Sequence, residues 1–316
     1  IQAAIEGVAR YGGGTVQVQP GVYVLGNAVQ LRSRVRLIGS GDETVLFKSP
    51  SKMTNLIEDT DWYECRITVA DPIGFEVGGG LLLRSCEEGT KKEQFTTHTI
   101  LRIDGHRLQL DRPPRVNHWM AWEATAATLF SGIAGNDARD VLVENLTVNG
   151  NRTRNGWLSG NVGGGIFLQD CERIHLRGLR VSDFEGDGIS WQVCHDVVVE
   201  QSWICNHRDL GLHPGSGSLR PVIRRNEIAN CTDGLFWCWG IQHGLAEDNV
   251  IRKSSRHGIS IGHRDTDNVM RRNHVIDSGE KGIFFRPERS AAKTAHRNLV
   301  EENVVQNVGS EKTPGV

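Results

Sequence analysis

Apolar and polar residues alternate with period two in short bursts through the second half of this chain, and the bursts return on a fixed beat. A glycine followed by Ile or Leu marks each one: Gly165-Ile166, Gly188-Ile189, Gly211-Leu212, Gly234-Leu235, Gly258-Ile259 and Gly282-Ile283, at steps of 23, 23, 23, 24 and 24. In Gly258-Ile259-Ser260-Ile261-Gly262-His263 every second residue is apolar, the pattern of a strand with one face in and one face out. A polar turn, a short strand at Asn268-Val269-Met270 and another at Asn273-His274-Val275-Ile276 complete the unit. About three short strands and three turns per repeat is too short and too β-rich for paired helices. Such a repeat buries its apolar face only against its neighbours, so the fold expected is an all-β solenoid, a parallel β-helix with one coil per repeat.

The pattern also assigns faces. Ile166, Ile189, Leu212, Leu235, Ile259 and Ile283 are expected to stack inward as an aliphatic ladder. Two positions on, Leu168, Trp191, Pro214, Trp237, Ile261 and Phe285 are expected inside as well, and Phe167, Ser190, His213, Phe236, Ser260 and Phe284 outside. A second column, Ser202, Asn226, Asn249 and Asn273, keeps the same beat and reads as stacked turn amides that satisfy one another and nearby carbonyls.

Before the repeats the rhythm differs. Ile1, Ala4, Ile5 and Val8 form one helical face, so residues 1–10 are expected to be an amphipathic helix that lids the first coil. Residues 51–130 break the beat and read as a β-rich insertion. Within it Phe75-Glu76-Val77-Gly78, the run from Thr99 to Gly105 and Leu108-Gln109-Leu110-Asp111 are expected as hairpin strands around an Asp-Gly turn. Coils resume near Val141, a Gly- and Asn-rich loop from Asn149 to Gly165 lengthens one turn, and regular coils run from 141 to 307. The tail, Gly309 to Val316, is expected to fray. All of this makes one domain, residues 1–316.

Composition narrows the function. The net charge of −2 comes with no basic stripe for nucleic acid, and no run of about 18 apolar residues offers a membrane span. The seven cysteines include no Cys-x-x-Cys pair, so no structural zinc site is expected. Cys171 and Cys194 both follow their repeat glycines by six residues and should stack, as buried thiols or as a disulfide. No leader peptide is visible, and the chain opens inside the expected helix.

Chemistry concentrates around the repeat glycines. Asp187, Asp209, Asp233 and His257 precede them; His213, Trp237, Trp239, His263, Arg286 and Glu288 follow. Coils about 4.8 Å apart would line these up as a column of carboxylates and imidazoles. Glycosidic hydrolysis needs an acid and a base or nucleophile, with carboxyl groups about 5–5.5 Å apart for retention and about 6.5–9.5 Å for inversion. Adjacent coils supply the first spacing and alternate coils the second. Asp187, Asp209, Asp233, His213 and His257 are therefore the expected catalytic residues, with Trp237, Trp239, His263, Arg286 and Glu288 on the substrate. Taken singly, each Asp before Gly is more often a turn residue. Asp265-Thr266-Asp267-Asn268 offers a possible calcium turn, although a solvated turn is the commoner use of such a sequence; no other cofactor is expected.

The phrase Gly12-Gly13-Gly14-Thr15-Val16 with Pro20-Gly21-Val22-Tyr23, followed by Leu31, Val35 to Gly39 and Val45-Leu46-Phe47, resembles the first coils of the pectate-lyase-like superfamily. That resemblance implies a right-handed helix. His257-Gly258-Ile259-Ser260-Ile261-Gly262 is similar to a polygalacturonase phrase, which would give Asp187, Asp209, His257 and Arg286 acid, base, assisting and uronate-holding roles. The paired Asp-Asp of that family is replaced by Arg208-Asp209-Leu210, an additional coil intervenes around Asp233, and its Arg-x-Lys phrase is missing. Leu210-Gly211-Leu212-His213-Pro214 is similar to a phrase of alginate epimerases, which implies a lyase or epimerase with His213 as base and Arg286 or Lys281 as charge neutraliser. The tyrosine partner of that family has no counterpart, since Tyr11, Tyr23 and Tyr63 all lie outside the regular coils. The first expectation is hydrolysis of a poly- or oligosaccharide, the second β-elimination or epimerisation of a uronate, and the third a non-catalytic glycan-binding solenoid. A secreted or periplasmic location follows from the substrate class, and neither nucleic acid nor membrane is expected as a partner.

Overall fold

The computed structural model describes residues 1–309. The chain winds into a right-handed parallel β-helix, and the sequence period is one coil. Eight parallel strands form a front sheet: Val29–Gln30, Ile133–Asn136, Ile166–Gln169, Ile189–Gln192, Leu210–Pro214, Asp233–Phe236, His257–Ile261 and Lys281–Phe285. The register runs Ile133, Ile166, Ile189, Leu212, Leu235, Ile259, Ile283, coil on coil. The first six of these are fully buried. Ile283 is half-buried, since the front sheet ends at its strand.

The other two sides of each coil form a sixteen-stranded sheet with two arms. One arm includes His195–Glu200, Val222–Arg224 and Leu245–Glu247; the other includes Trp203–Cys205, Glu227–Ala229 and Val250–Arg252. The long strands Val35–Lys48 and Arg139–Asn149 pass through both arms and join them.

The corner between the arms is where the asparagine column sits. Gln201, Arg225, Asp248 and Arg272 take left-handed φ of 51°, 52°, 55° and 50°, and Ser202, Asn226, Asn249 and Asn273 follow them. Side chains at left-handed corners are costly, and the amide ladder offsets that cost. Asn249 Nδ2 donates to Ile223 O and to Asn273 Oδ1, both at 2.9 Å, while Asn249 Oδ1 accepts from Asn226 N and Nδ2, both at 3.0 Å. Each asparagine amide of the column is thus paired, and the column is structural.

The N-terminal helix Gln2–Arg10 drops Ile5 into the main core, with Ile1, Val8 and Ala9 packed beside it. Residues between the strands Met53–Asn55 and Thr125–Ala127 build a separate antiparallel layer with its own core around Leu56, Ile67, Leu81, Leu83, Ile100 and Leu108. Lys92–Asp104 and Arg107–Leu110 pair across the Asp-Gly turn, as the sequence implied. Phe75-Glu76-Val77-Gly78 is a turn and not a strand: Phe75 N bonds Pro72 O and Gly79 N bonds Glu76 O. Pro72 upstream and Gly74, Gly78 and Gly79 around it favour turning, and the strand starts only at Gly80–Glu87. Phe285 also departs from expectation. It is 46% exposed, because no further front strand covers it. Of the tail expected to fray, Gly309 is held by a bond from its N to Ser278 O at 2.9 Å, and residues 310–316 lie outside the described residues.

Replacing Asn249 with Ala removes the acceptor for Asn226 and a donor for Ile223 O. Urea unfolding is expected to show a loss of about 1–3 kcal/mol. A change within about 0.5 kcal/mol, the range of an ordinary surface substitution, would mean the ladder is not holding the corner.

Candidate functional site

The outer surface of the front sheet carries Phe167, Ser190, His213, Phe236, Ser260 and Phe284, as alternation requires. It is not an open face. The loop of residues 149–165 folds back across it: Leu158 N bonds Glu185 O at 2.9 Å, and Ser190 Oγ donates to Gly160 O. Gly160 is needed there, since a Cβ would lie 1.8 Å from Asp187 Oδ2. Ser190 and His213 are buried as a result.

The expected carboxylate column separates into three different environments. Asp187 is 1% exposed, accepts from Leu210 N at 3.0 Å through Oδ1 and bonds His213 Nδ1 at 2.7 Å through Oδ2. Burial alone would lower the His213 pKa. The Asp187 bond and charge, with the Cys238 sulfur beside the ring, outweigh burial and hold it up at about 10. The protonated form of His213 is therefore favoured. Asp233 is fully buried and gripped by Arg256 Nε at 3.1 Å and Nη2 at 2.9 Å, with His257 N at 3.3 Å. A bidentate guanidinium pair of this kind spends the carboxylate on structure, which corrects its expected catalytic role. Asp209 alone stays half-exposed. Its Oδ2 accepts from Trp157 Nε1 at 2.5 Å. Its pKa is raised by burial, against the Trp157 bond, with the charges of Asp187 and Glu185 adding to the rise.

Glu185, Trp157 and Phe95 complete the surroundings of Asp209. Glu185 is ion-paired to Arg152 at 2.6 Å and Arg208 at 3.0 Å. The Trp157 ring meets Phe95 edge-on at 5.6 Å, and Arg84 and Arg208 lie 5.9 and 6.0 Å from it. Sequence reading missed all three. Trp157 sits in an irregular loop, Phe95 in the insertion, and Glu185 two residues ahead of the expected column. The only available signal was the unusual length of the loop.

The remaining expected residues fall on both sides of the sheet. Trp237 is fully buried and belongs to the core, as its inward register dictates, and does not contact substrate. Arg286 is a clamp: it donates to Trp237 O at 2.6 Å and Ser260 Oγ at 2.9 Å, and lies over the Phe236 ring at 4.2 Å. That engagement corrects its expected uronate-holding role. His257 is buried against Phe284, ring centroids 4.4 Å apart, and burial lowers its pKa. Trp239 is 58% exposed and stacks on His263 at 4.9 Å, while His263 Nδ1 bonds Glu288 at 3.1 Å. Beside Trp239 a groove of about 390 Å³ is lined by Asn161, Gln169, Gln192, Ser216 and Cys238. It lies at the opposite end of the front strands from Asp209.

In the Asp265-to-Asn268 turn, both carboxylates are engaged by groups of the protein. Asp265 accepts from Gly240 N, Ile241 N and Gly262 N, and Asp267 pairs with Arg297. Cys171 and Cys194 stack as free thiols, with Cys171 N at 3.3 Å from Cys194 Sγ.

Solved structures similar to the chain include the tailspike gp61 of Pseudomonas phage phi297, at 11% identity and TM-score 0.46, over 96% of this chain and 56% of the tailspike. The A-module of the Azotobacter vinelandii mannuronan C-5 epimerase AlgE6 has 13% identity and TM-score 0.48, over 98% of this chain and 74% of the module. The hyperthermoactive exopolygalacturonase of Thermotoga maritima has 14% identity and TM-score 0.44, over 97% of this chain and 75% of that enzyme. This chain thus spans little more than half of the tailspike's length. No curated protein sequence matches it. Residues 164–313 match the family described as the right handed beta helix region.

Proposed function

We propose that the protein is a glycoside hydrolase acting on a poly- or oligosaccharide, with Asp209 as the proton donor and Glu185 as its carboxylate partner. The observation that carries this reading is the half-exposed Asp209 carboxyl. It sits beside two further carboxylates, has a raised pKa, and is held in place by an indole N–H. A general acid must keep its proton near working pH, and neighbouring negative charge with partial burial has that effect. Two carboxyl groups in different environments match the division of labour between acid and base or nucleophile. Trp157 and Phe95 supply apolar surface for a sugar ring next to the acid. Asp187 and His213 act from beneath, Asp187 as part of the charge that Asp209 feels. The exposed Trp239 and the amides of its groove support glycan contact further along the same sheet. Such a substrate fits a secreted or periplasmic protein.

A uronate lyase or epimerase would need His213 as a neutral base. The Asp187 bond and charge favour the protonated imidazole, and Arg286 is engaged as a clamp, so both groups are less suited to those roles.

Incubation with a polysaccharide panel is expected to give new reducing ends without the ultraviolet absorbance of an unsaturated uronate. Asp209→Asn is expected to lower turnover by about 100-fold or more while leaving the melting temperature within a few degrees. Full activity in that variant removes Asp209 from the mechanism, and binding without product from any substrate makes the protein a glycan-binding solenoid. A second test concerns His213. Its folded pKa of about 10 lies above the ordinary 6.5, so the stabilisation it brings is fully present below pH 6.5 and fades as pH rises toward 10. The stability difference between wild type and His213→Gln is therefore expected to be largest below that window and to shrink across it, measured by urea unfolding at each pH. A difference that stays flat across the window would show that His213 does not gain a proton on folding.

A further inference from the structure

The groove beside Trp239 has a sulfur atom on its wall, and a histidine–aspartate pair stands behind that sulfur. Cys238 follows Trp237, whose ring points into the core, so alternation turns the thiol outward on the same face as His213 and Phe236. Cys238 N bonds Pro214 O at 2.9 Å, which fixes Cys238 one coil along from His213 and diagonal to it. Diagonal neighbours on one face of a sheet lie within reach of a long side chain. His213 is 5% exposed, its Nδ1 is taken by Asp187 at 2.7 Å, and its Nε2 has no hydrogen-bond partner among the described residues. A buried imidazole with one nitrogen anchored on a carboxylate and the other unpartnered, one coil from a thiol on the same face, is a positive charge placed to favour the thiolate.

We propose that Cys238 is a nucleophilic thiol, oriented by His213 and Asp187, and that it is a covalent modification site taking disulfides and other soft electrophiles that enter the groove. The sulfur attacks as the thiolate, as in every thiol–disulfide exchange. A new S–S bond forms to one sulfur of the incoming disulfide, the old S–S bond breaks, and the departing thiolate takes up the proton that Cys238 gave up. No other oxidant is needed. The unpartnered Nε2–H of the imidazolium stabilises the Cys238 thiolate as it forms and is unchanged after attack. The Arg286 guanidinium, bonded to Trp237 O and Ser260 Oγ, adds a second positive charge nearby. Cys171, Cys194, Cys205 and Cys231 are buried and unavailable, whereas Cys65 and Cys86 are half-exposed like Cys238 and serve as internal controls. The adduct would occupy the groove next to Trp239. This inference is independent of the hydrolysis proposal, because its readout is mass and not turnover.

The test is to treat the whole folded protein with glutathione disulfide near pH 6, where an ordinary thiol is almost wholly protonated, and to follow intact mass and peptide maps. The expected result is a single glutathionyl group on Cys238, added at least about tenfold faster than on Cys65 or Cys86. His213→Gln, with its fold checked by circular dichroism, is expected to slow that reaction by about tenfold or more, and Asp187→Asn to slow it as well. Cys65 or Cys86 reacting first in the wild type overturns the proposal without reliance on any variant. An unchanged Cys238 rate in folded His213→Gln overturns the role given to the histidine.

Discussion

Everything in this molecule depends on coils of equal length stacking in register. A repeat of 23 or 24 residues can bury its apolar side only under the next repeat, so each inner aliphatic residue must meet its counterpart one coil away. Ile166, Ile189, Leu212, Leu235 and Ile259 do so with no exposed surface. A shift by one residue would send that whole column to the outside. The same constraint lets chemically unlike residues, far apart along the chain, become lateral neighbours. Asp187 reaches His213 and Arg256 reaches Asp233 because each pair lies about one coil apart.

Register also decides which polar groups are structural. Asn226, Asn249 and Asn273 repeat because the same corner recurs, and each amide closes the hydrogen bonds of the coil before it. Asp233 and Asp265 are equally buried, one held by a guanidinium and the other by backbone N–H groups. A carboxylate removed from water must be paired in this way, and with no exposed surface it is not available to a substrate. Asp209 differs because its neighbours are an indole N–H and other carboxylates, which leave its proton within reach of solvent.

The outer face of the front sheet is shaped by what crosses it. The loop of residues 149–165 brings Trp157 to Asp209, closes Gly160 on Asp187, and carries Asn161 to the groove wall. The insertion contributes Phe95 and Arg84 from a layer with its own core. A single uniform strip of carboxylates is therefore divided into an acidic, aromatic-lined edge at one end of the strands and a polar groove with a thiol at the other.

The amino-acid sequence by itself determined the solenoid, its period, the inner ladder, the asparagine corner and the lidding helix. Those features depend on local alternation and fixed spacing, which one coil shows as well as six. It also marked Asp209, His213 and Trp239 as outward residues of interest. Only the tertiary structure decided that Asp233 is sealed by Arg256, that Arg286 clamps Trp237 and Ser260, and that Glu185, Trp157 and Cys238 stand where chemistry is possible. Whether an outward side chain is free depends on which partner reaches it from another coil or from an irregular loop. Such partners obey no period, so nothing in the repeat could announce them.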